Sequence, residues 1–83
     1  MAEETHVTVR LEHPVTVEKV EYSELKLRYP RVRDIRDARK GNPSTDEMNI
    51  RLFSNLAEVE PAVIEELVLV DYNRVDEALE PFT

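Results

Sequence analysis

The sequence contains no cysteine, no tryptophan and only one glycine among its 83 residues. Without cysteine the chain has no disulfide bonds, no thiol nucleophile and no cysteine-ligated zinc. Long apolar runs are also missing, because the longest covers residues 67–70 and a membrane-spanning helix needs roughly 20 residues. The chain starts with Met-Ala-Glu-Glu, which lacks the basic start and apolar centre of a signal peptide. We therefore expect a soluble intracellular protein.

The composition is polar and the chain is short. Hydrophobic residues make up 41% and charged residues 35% of the sequence, compared with roughly 45–50% and 25% in typical globular domains. A chain of this length buries only about 60% of the surface that its unfolded form exposes, so its core is small. Since one domain usually takes roughly 50–250 residues, we predict a single domain over residues 1–83.

The charges are divided into three blocks, although the net charge is −7. Residues 26–43 carry seven basic and two acidic residues, whereas residues 44–83 carry ten acids and two bases. This basic block could bind an anionic partner, or it could be a solvated helix face that balances the acids of the same chain. Nucleic-acid binding is not predicted, because the acidic flanks would repel phosphates and only Tyr29 in the block could stack on bases.

Alternating apolar residues in the first third predict a β-hairpin over about residues 6–28. Residues 7, 9, 11, 15 and 17 are all valine or leucine, and residues 18–19 separate them from a second apolar run. The turn is therefore predicted at Glu18-Lys19, although it lacks the Asn-Gly or Asp-Gly that such turns favour. The apolar parity changes in the second strand, which predicts a bulge near Ser23-Glu24.

Helical spacing dominates residues 31–82. Val32, Ile35 and Ala38 recur every three residues and predict a short helix over about 31–40, with those residues on its buried face. The break at residues 41–43 precedes Ser44, a favourable N-cap residue with Glu47 three positions later. The following helix has an apolar stripe composed of Met48, Leu52, Phe53, Leu56 and Val59.

Two further helices are predicted after that stripe. Pro61 suits the first position of the third helix, and residues 67–70 are either a buried connector or a very short strand. Asp71 is predicted to cap a last helix. The predicted fold is therefore α+β, with an N-terminal antiparallel hairpin followed by three or four short helices.

No residue pattern points to catalysis, to a cofactor or to a metal. His6 and His13 have no orienting acid at an interpretable spacing, and adjacent acids such as Glu65-Glu66 do not share a helix face. A phosphate-binding loop or a calcium loop would need glycines that the chain lacks. We predict that the protein is not an enzyme and that it functions by binding another protein.

Two features could carry such binding. The last helix has an apolar stripe, Tyr72, Val75, Leu79 and Phe82, which either packs on the hairpin or is offered to a partner protein. The second feature is the basic block, from which we select Arg28, Arg31, Arg33 and Arg36 as candidate binding residues.

The ordered series of segments resembles the small phage tail assembly proteins of Mu-like and related contractile-tailed phages. The resemblance covers roughly residues 7–82 and is carried by residues 11–17, 20–30, 32–38, 52–56 and 63–67, with Asp71-Tyr72 and Phe82. Relatives commonly have a glycine in the hairpin turn, where this chain has Glu18-Lys19. The shared positions are largely structural, so the resemblance transfers no established site residues.

The resemblance implies a tail assembly chaperone that binds the tape measure protein and keeps it soluble during tail assembly. It also implies partners such as tail tube subunits or a frameshift-extended form of the same protein, and homo-oligomers are possible. The expected location is the cytoplasm of the host bacterium and not the mature virion, with no nucleic-acid or membrane partner.

Our mechanistic hypothesis is that Leu79, Phe82 and their neighbours contact apolar seams of the client. The basic block would bind acidic residues of the client or of an extended form of this protein. The alternatives are an acidic regulatory protein, acting as a DNA mimic or a host-protein inhibitor, and a minor structural tail component.

Overall fold

The computed structural model describes residues 6–82 and begins with an antiparallel ribbon. Strand β1 spans His6–Val17 and pairs with strand β2, which spans Val20–Arg28. The predicted hairpin is therefore confirmed. One face of the ribbon is buried and the other is exposed; the buried face contains Val9, Leu11, Val15, Leu25 and Leu27. The acidic residues 1–4, where we predict no signal peptide, lie outside the described residues.

The turn between the strands lies at Glu18-Lys19, as predicted. Both residues have positive φ angles, 50° and 68°. Two consecutive left-handed residues in a two-residue loop form a type I′ turn, whose twist matches that of the flanking strands. The left-handed conformation is sterically unfavourable for glutamate and lysine, because their Cβ atom approaches the following carbonyl oxygen.

This turn predicts a stabilising double substitution. Glu18→Asn with Lys19→Gly is expected to raise the free energy of unfolding by about 1–2 kcal/mol, because both new residues tolerate positive φ. Thermal denaturation followed by circular dichroism should give a melting temperature several degrees higher. Lys26→Gly is the control, since it puts a glycine into a strand interior and should lower stability. A double variant no more stable than the parent would contradict this account of the turn.

The ribbon contains one irregular segment, in β1 and not in β2. Between the pairs Arg10–Glu24 and Val15–Tyr22, residues 11–14 of β1 lie opposite the single residue Ser23. The predicted position opposite Ser23 is right, but the strand that carries the extra residues was predicted wrongly. Pro14 explains the difference, because proline has no N–H to donate to the ladder and suits the bulged strand.

Four helices and a short 3₁₀ turn follow the hairpin within residues 6–82. The helix α1 spans Val32–Ala38, α2 spans Thr45–Ala57, α3 spans Pro61–Glu65 and α4 spans Leu69–Leu79, followed by a short 3₁₀ turn over Glu80–Phe82. A hairpin followed by four helices is the predicted α+β fold. Within this described part of the chain, every helix is too short or too polar to cross a lipid bilayer.

The predicted start signals act at two of the helices. The Ser44 hydroxyl accepts a hydrogen bond of 3.2 Å from the N–H of Glu47, so Ser44 is the N-cap of α2. Pro61 lies in the first turn of α3, where its missing N–H costs no hydrogen bond. At its other end α2 stops at Glu58, which adopts a left-handed conformation.

The start of α4 differs from the prediction. The helix begins at Leu69, so residues 67–70 are neither a buried connector nor a strand. Leu67 is buried before the helix, whereas Leu69 and Val70 lie exposed in its first turn. Asp71 is a buried residue within that turn and not the cap, because its carboxylate binds the backbone of β1 instead of the end of its own helix.

The core lies between the inner face of the ribbon and the helices. Besides the ribbon residues it contains Ala38, Leu52, Phe53, Leu56, Val63, Ile64, Leu67, Val75 and Leu79. Helix α2 packs on β2, while α3 and α4 pack on β1. Residues from the hairpin and from every helix of the described chain join this cluster, and we retain one domain over 1–83 as our prediction.

Candidate protein-binding site

One buried carboxylate joins α4 to β1. Asp71 accepts hydrogen bonds from the N–H groups of Glu12, at 2.9 Å, and His13, at 3.0 Å. Both donors belong to the irregular segment of β1, so the carboxylate replaces ladder partners that β2 does not provide. Burial alone would raise the pKa of Asp71, but these donors and the nearby charges of His13 and Arg74 hold that pKa below its ordinary value.

Two of the predicted binding residues of α4 lie in the core. Val75 is fully buried and Leu79 almost so, against the hairpin side of the helix. The last helix therefore packs on the hairpin, and these two side chains are not on the surface. The 3₁₀ turn that carries Phe82 follows directly after Leu79.

The two aromatic residues of the predicted stripe pack against different parts of the fold. Tyr72 is half-buried and its ring lies 5.5 Å from that of Phe53, at a tilt of 56°. Phe82 instead stacks on Tyr29, with ring centroids 4.4 Å apart and an interplanar angle of 17°. This stacking brings the end of the described chain to the segment between β2 and α1, while 42% of Phe82 stays exposed.

Arg28 is occupied by a contact within the fold. Its guanidinium donates two hydrogen bonds, of 2.8 and 2.9 Å, to the two carboxylate oxygens of the buried Asp34. Asp34 also accepts from the N–H of Arg31 at 2.8 Å. The Arg28 guanidinium, more than any other group, lowers the pKa of Asp34. Arg28 therefore ties the end of β2 to α1.

The other three predicted arginines are exposed, and two of them border an apolar surface. Arg31 and Arg36 lie beside Val32, which is 87% exposed. Arg33 lies with Arg31 around a neighbouring hollow that Arg28 and Tyr29 also line. We define the basic face as the shallow surface formed by Val32, Ile35, Phe82, Arg31, Arg36 and Arg39.

The prediction that Val32 is on the buried face of α1 is wrong. Ala38 is buried and Ile35 half-buried, as predicted, but Asp34 takes the inward position in place of Val32 because Arg28 pairs with it. Spacing alone could not reveal this, since a buried aspartate reads as a polar position. Phe82 joins the basic face from the far end of the chain, and no local pattern indicates that neighbourhood.

The basic face combines apolar side chains with guanidinium groups. Within residues 6–82 there is no group of three or more histidine or acidic side chains that could hold a metal ion. The basic face offers methyl groups, an aromatic edge and guanidinium groups, which suit an apolar and acidic protein surface.

One comparison with known proteins identifies the family. Residues 8–83 match the model of the family described as "Phage tail assembly chaperone proteins, E, or 41 or 14". The searches of curated proteins and of solved structures give no match. The family is non-catalytic, which confirms that this protein is not an enzyme. Because the match covers nearly the whole chain, the protein belongs to the phage tail assembly chaperone family.

Proposed function

We propose that this protein binds the tape measure protein of its phage and keeps it soluble until tail tube subunits assemble around it. The observation that carries the proposal is family membership over residues 8–83. A chaperone of this kind needs an accessible apolar surface and no reactive groups. The basic face supplies the apolar surface.

The chemistry of the basic face suits a helical client. Val32 and Phe82 expose apolar surface, and Arg31, Arg36 and Arg39 surround it. An amphipathic helix could place its apolar stripe on the two exposed side chains and its flanking acids on the guanidinium groups. Arginine suits this role because its planar fork pairs with a carboxylate through two hydrogen bonds.

Of the eight candidate binding residues selected from the sequence, four lie on or beside the basic face. Phe82, Arg31 and Arg36 lie on the basic face, and Arg33 borders the adjoining hollow. The remaining residues support the surface from within or lie elsewhere: Val75 and Leu79 are core residues, Arg28 pairs with Asp34, and Tyr72 packs on Phe53.

Further partners and the location follow from the same proposal. Tail tube subunits and a frameshift-extended form of this chain are proposed as additional partners, and the host cytoplasm as the place of action. A chaperone leaves before the particle is complete, so mass spectrometry of purified virions should find no stoichiometric copies of this protein.

The direct test is co-expression with the tape measure protein of the same phage, followed by size-exclusion chromatography and pull-down. We expect the otherwise insoluble client to become soluble and to co-elute with this protein. If the client stays insoluble with this chain and also with a frameshift-extended form of it, the proposed function is wrong.

A further inference from the structure

A second apolar surface lies on the other helices and shares no residue with the basic face. We call it the acidic groove, a depression of about 350 Å³ lined by Asp46, Ile50, Ile64, Glu65, Leu67, Leu69 and Tyr72. Its residues come from α2, from α3, from the first turn of α4 and, for Leu67, from the connector between α3 and α4.

The wall of the acidic groove is an exposed leucine. Leu69 is 69% exposed, and Val68 and Val70 beside it are also exposed. These three residues are not needed for docking α4, because Val75 and Leu79 form its buried contact with the hairpin side. Consecutive exposed apolar residues next to a preformed depression are typical of a protein contact.

The charge around the acidic groove has one sign. Its described lining residues include Asp46 and Glu65 but no lysine or arginine. Burial raises the pKa of the Tyr72 hydroxyl group. The nearby negative charges of Asp76 and Asp46 raise that pKa further.

The two arginines of residues 44–82 make contacts with other elements. Arg51 donates a hydrogen bond of 2.7 Å to the carbonyl oxygen of Lys40, and Arg74 forms an ion pair with Glu12. Neither of them lines the acidic groove. The carboxylates at its rim are therefore available to an outside cation.

We infer that the acidic groove binds an amphipathic helical segment of a partner protein, one that carries lysine or arginine beside its apolar stripe. Apolar residues of that helix at positions i, i+3 and i+4 would pack on Ile50 and Ile64 and against the exposed side chain of Leu69. Its basic residues would pair with Asp46 and Glu65. This inference goes beyond the proposed function, because it concerns a different surface and a partner segment of opposite charge.

A second copy of this chain fits the acidic groove less well. Its own basic helix, α1, spans only Val32–Ala38 and exposes one apolar side chain, that of Val32. Ile35 is half-buried and Ala38 is fully buried in the same chain. A single valine cannot occupy a floor formed by residues of three helices.

The test uses three synthetic peptides of about 18 residues, long enough for about five helical turns. The first has a leucine stripe flanked by lysines, the second has the same composition in scrambled order, and the third has glutamates in place of the lysines. Fluorescence anisotropy with the full chain should detect binding of the first peptide and not of the second. Any binding of the third peptide, whose acids suit the basic face, should be the same for Leu69→Ser and the parent protein. Raised salt should weaken that binding, because exposed charges are screened.

Substitutions locate the contact. Leu69→Ser should weaken binding of the first peptide roughly tenfold, which corresponds to the lost burial of one leucine. Val20→Ser, which changes another exposed apolar residue, should leave the affinity unchanged. Both variants should keep the parent melting temperature.

Three results would overturn the inference: equal binding of the scrambled peptide, no binding of the first peptide, or equal affinity of Leu69→Ser and parent protein. Self-association of the free protein that Leu69→Ser abolishes would also overturn it, in favour of a second copy as occupant. None of these measurements uses the tape measure protein, so their failure is distinct from failure of the proposed function.

Discussion

Replacing Asp71 with alanine is expected to lower the free energy of unfolding by about 3–5 kcal/mol, the largest effect of any single polar substitution that we predict. The substitution leaves the N–H groups of Glu12 and His13 without their partner in a partly buried segment that β2 does not pair. It also removes two of the hydrogen bonds that join α4 to β1. Since small domains have little stability to lose, the variant should be largely unfolded at 37 °C.

Urea denaturation followed by circular dichroism is the measurement, with Asp76→Ala as the matched control. Asp76 is an exposed acid of the same helix, so its removal should leave the midpoint nearly unchanged. If Asp71→Ala unfolds at the same urea concentration as Asp76→Ala, the two hydrogen bonds do not secure α4.

The same carboxylate predicts the acid sensitivity of the fold. Since the pKa of Asp71 is lower in the folded state than in the unfolded one, its contribution is complete above the ordinary aspartate pKa of about 3.9. That contribution is lost as the pH falls through the lower folded-state pKa. Asp71→Asn should therefore lose less stability than the parent protein between pH 5 and pH 2, when the same urea titration is repeated at each pH.

Removal of Arg28 is expected to have the second largest effect. Arg28→Ala leaves the carboxylate of Asp34 buried with the N–H of Arg31 as its remaining hydrogen-bond donor. Breaking a buried pair by removing one partner typically costs about 3–5 kcal/mol, and we expect about 2–3 kcal/mol because Arg28 is partly exposed. Urea denaturation should show this loss.

A double-mutant cycle separates the pair from the packing of the arginine stem. Arg28→Ala with Asp34→Ala should be more stable than Arg28→Ala alone, because no unpaired buried charge is left. Arg36→Ala is the control, since its contact with Asp37 is 3.7 Å long and exposed, and it should cause no measurable change. Additive effects of the two single substitutions would mean that the pair is not coupled.

The local features of the fold could be predicted from the sequence. Glu18-Lys19 turns the chain between two alternating runs, Ser44 caps α2 and Pro61 starts α3, and each of these depends on residues at most a few positions apart. The period of the apolar residues and the preferences of turn and cap residues are sufficient for such features.

The predictions that failed concern residues whose partners lie in another element of the fold. Asp71 looks like a helix cap in the sequence, but its partners lie 58 and 59 positions away in β1. In α1 the contact spans only six positions but joins two elements: Asp34 is turned inward to pair with Arg28 of β2, and Val32 is exposed. A propensity for capping or for burial is a local preference, and an ion pair or hydrogen bond between two elements can override it.

The arginines and Phe82 of the basic face could be predicted from the sequence, but the position of Phe82 among them could not. Its arginines are evident in the charge blocks of the sequence, and Phe82 is selected by its place in the last apolar stripe. Its position on Tyr29, however, depends on the docking of α4, which Val75, Leu79 and Asp71 determine together. Leu79→Ser would therefore disturb the fold as well as the surface, whereas Val32 can be changed without touching the core.

The most direct test of the proposed function is the soluble fraction of the tape measure protein when it is co-expressed with Val32→Asp. We expect this variant to fold normally and to leave the client insoluble, because the substitution puts a negative charge at the centre of the basic face. Val20→Asp is the matched control, with the same chemical change at another exposed valine, and should solubilise the client as the parent does. Equal solubilisation of the client by Val32→Asp, Val20→Asp and the parent protein would contradict the account.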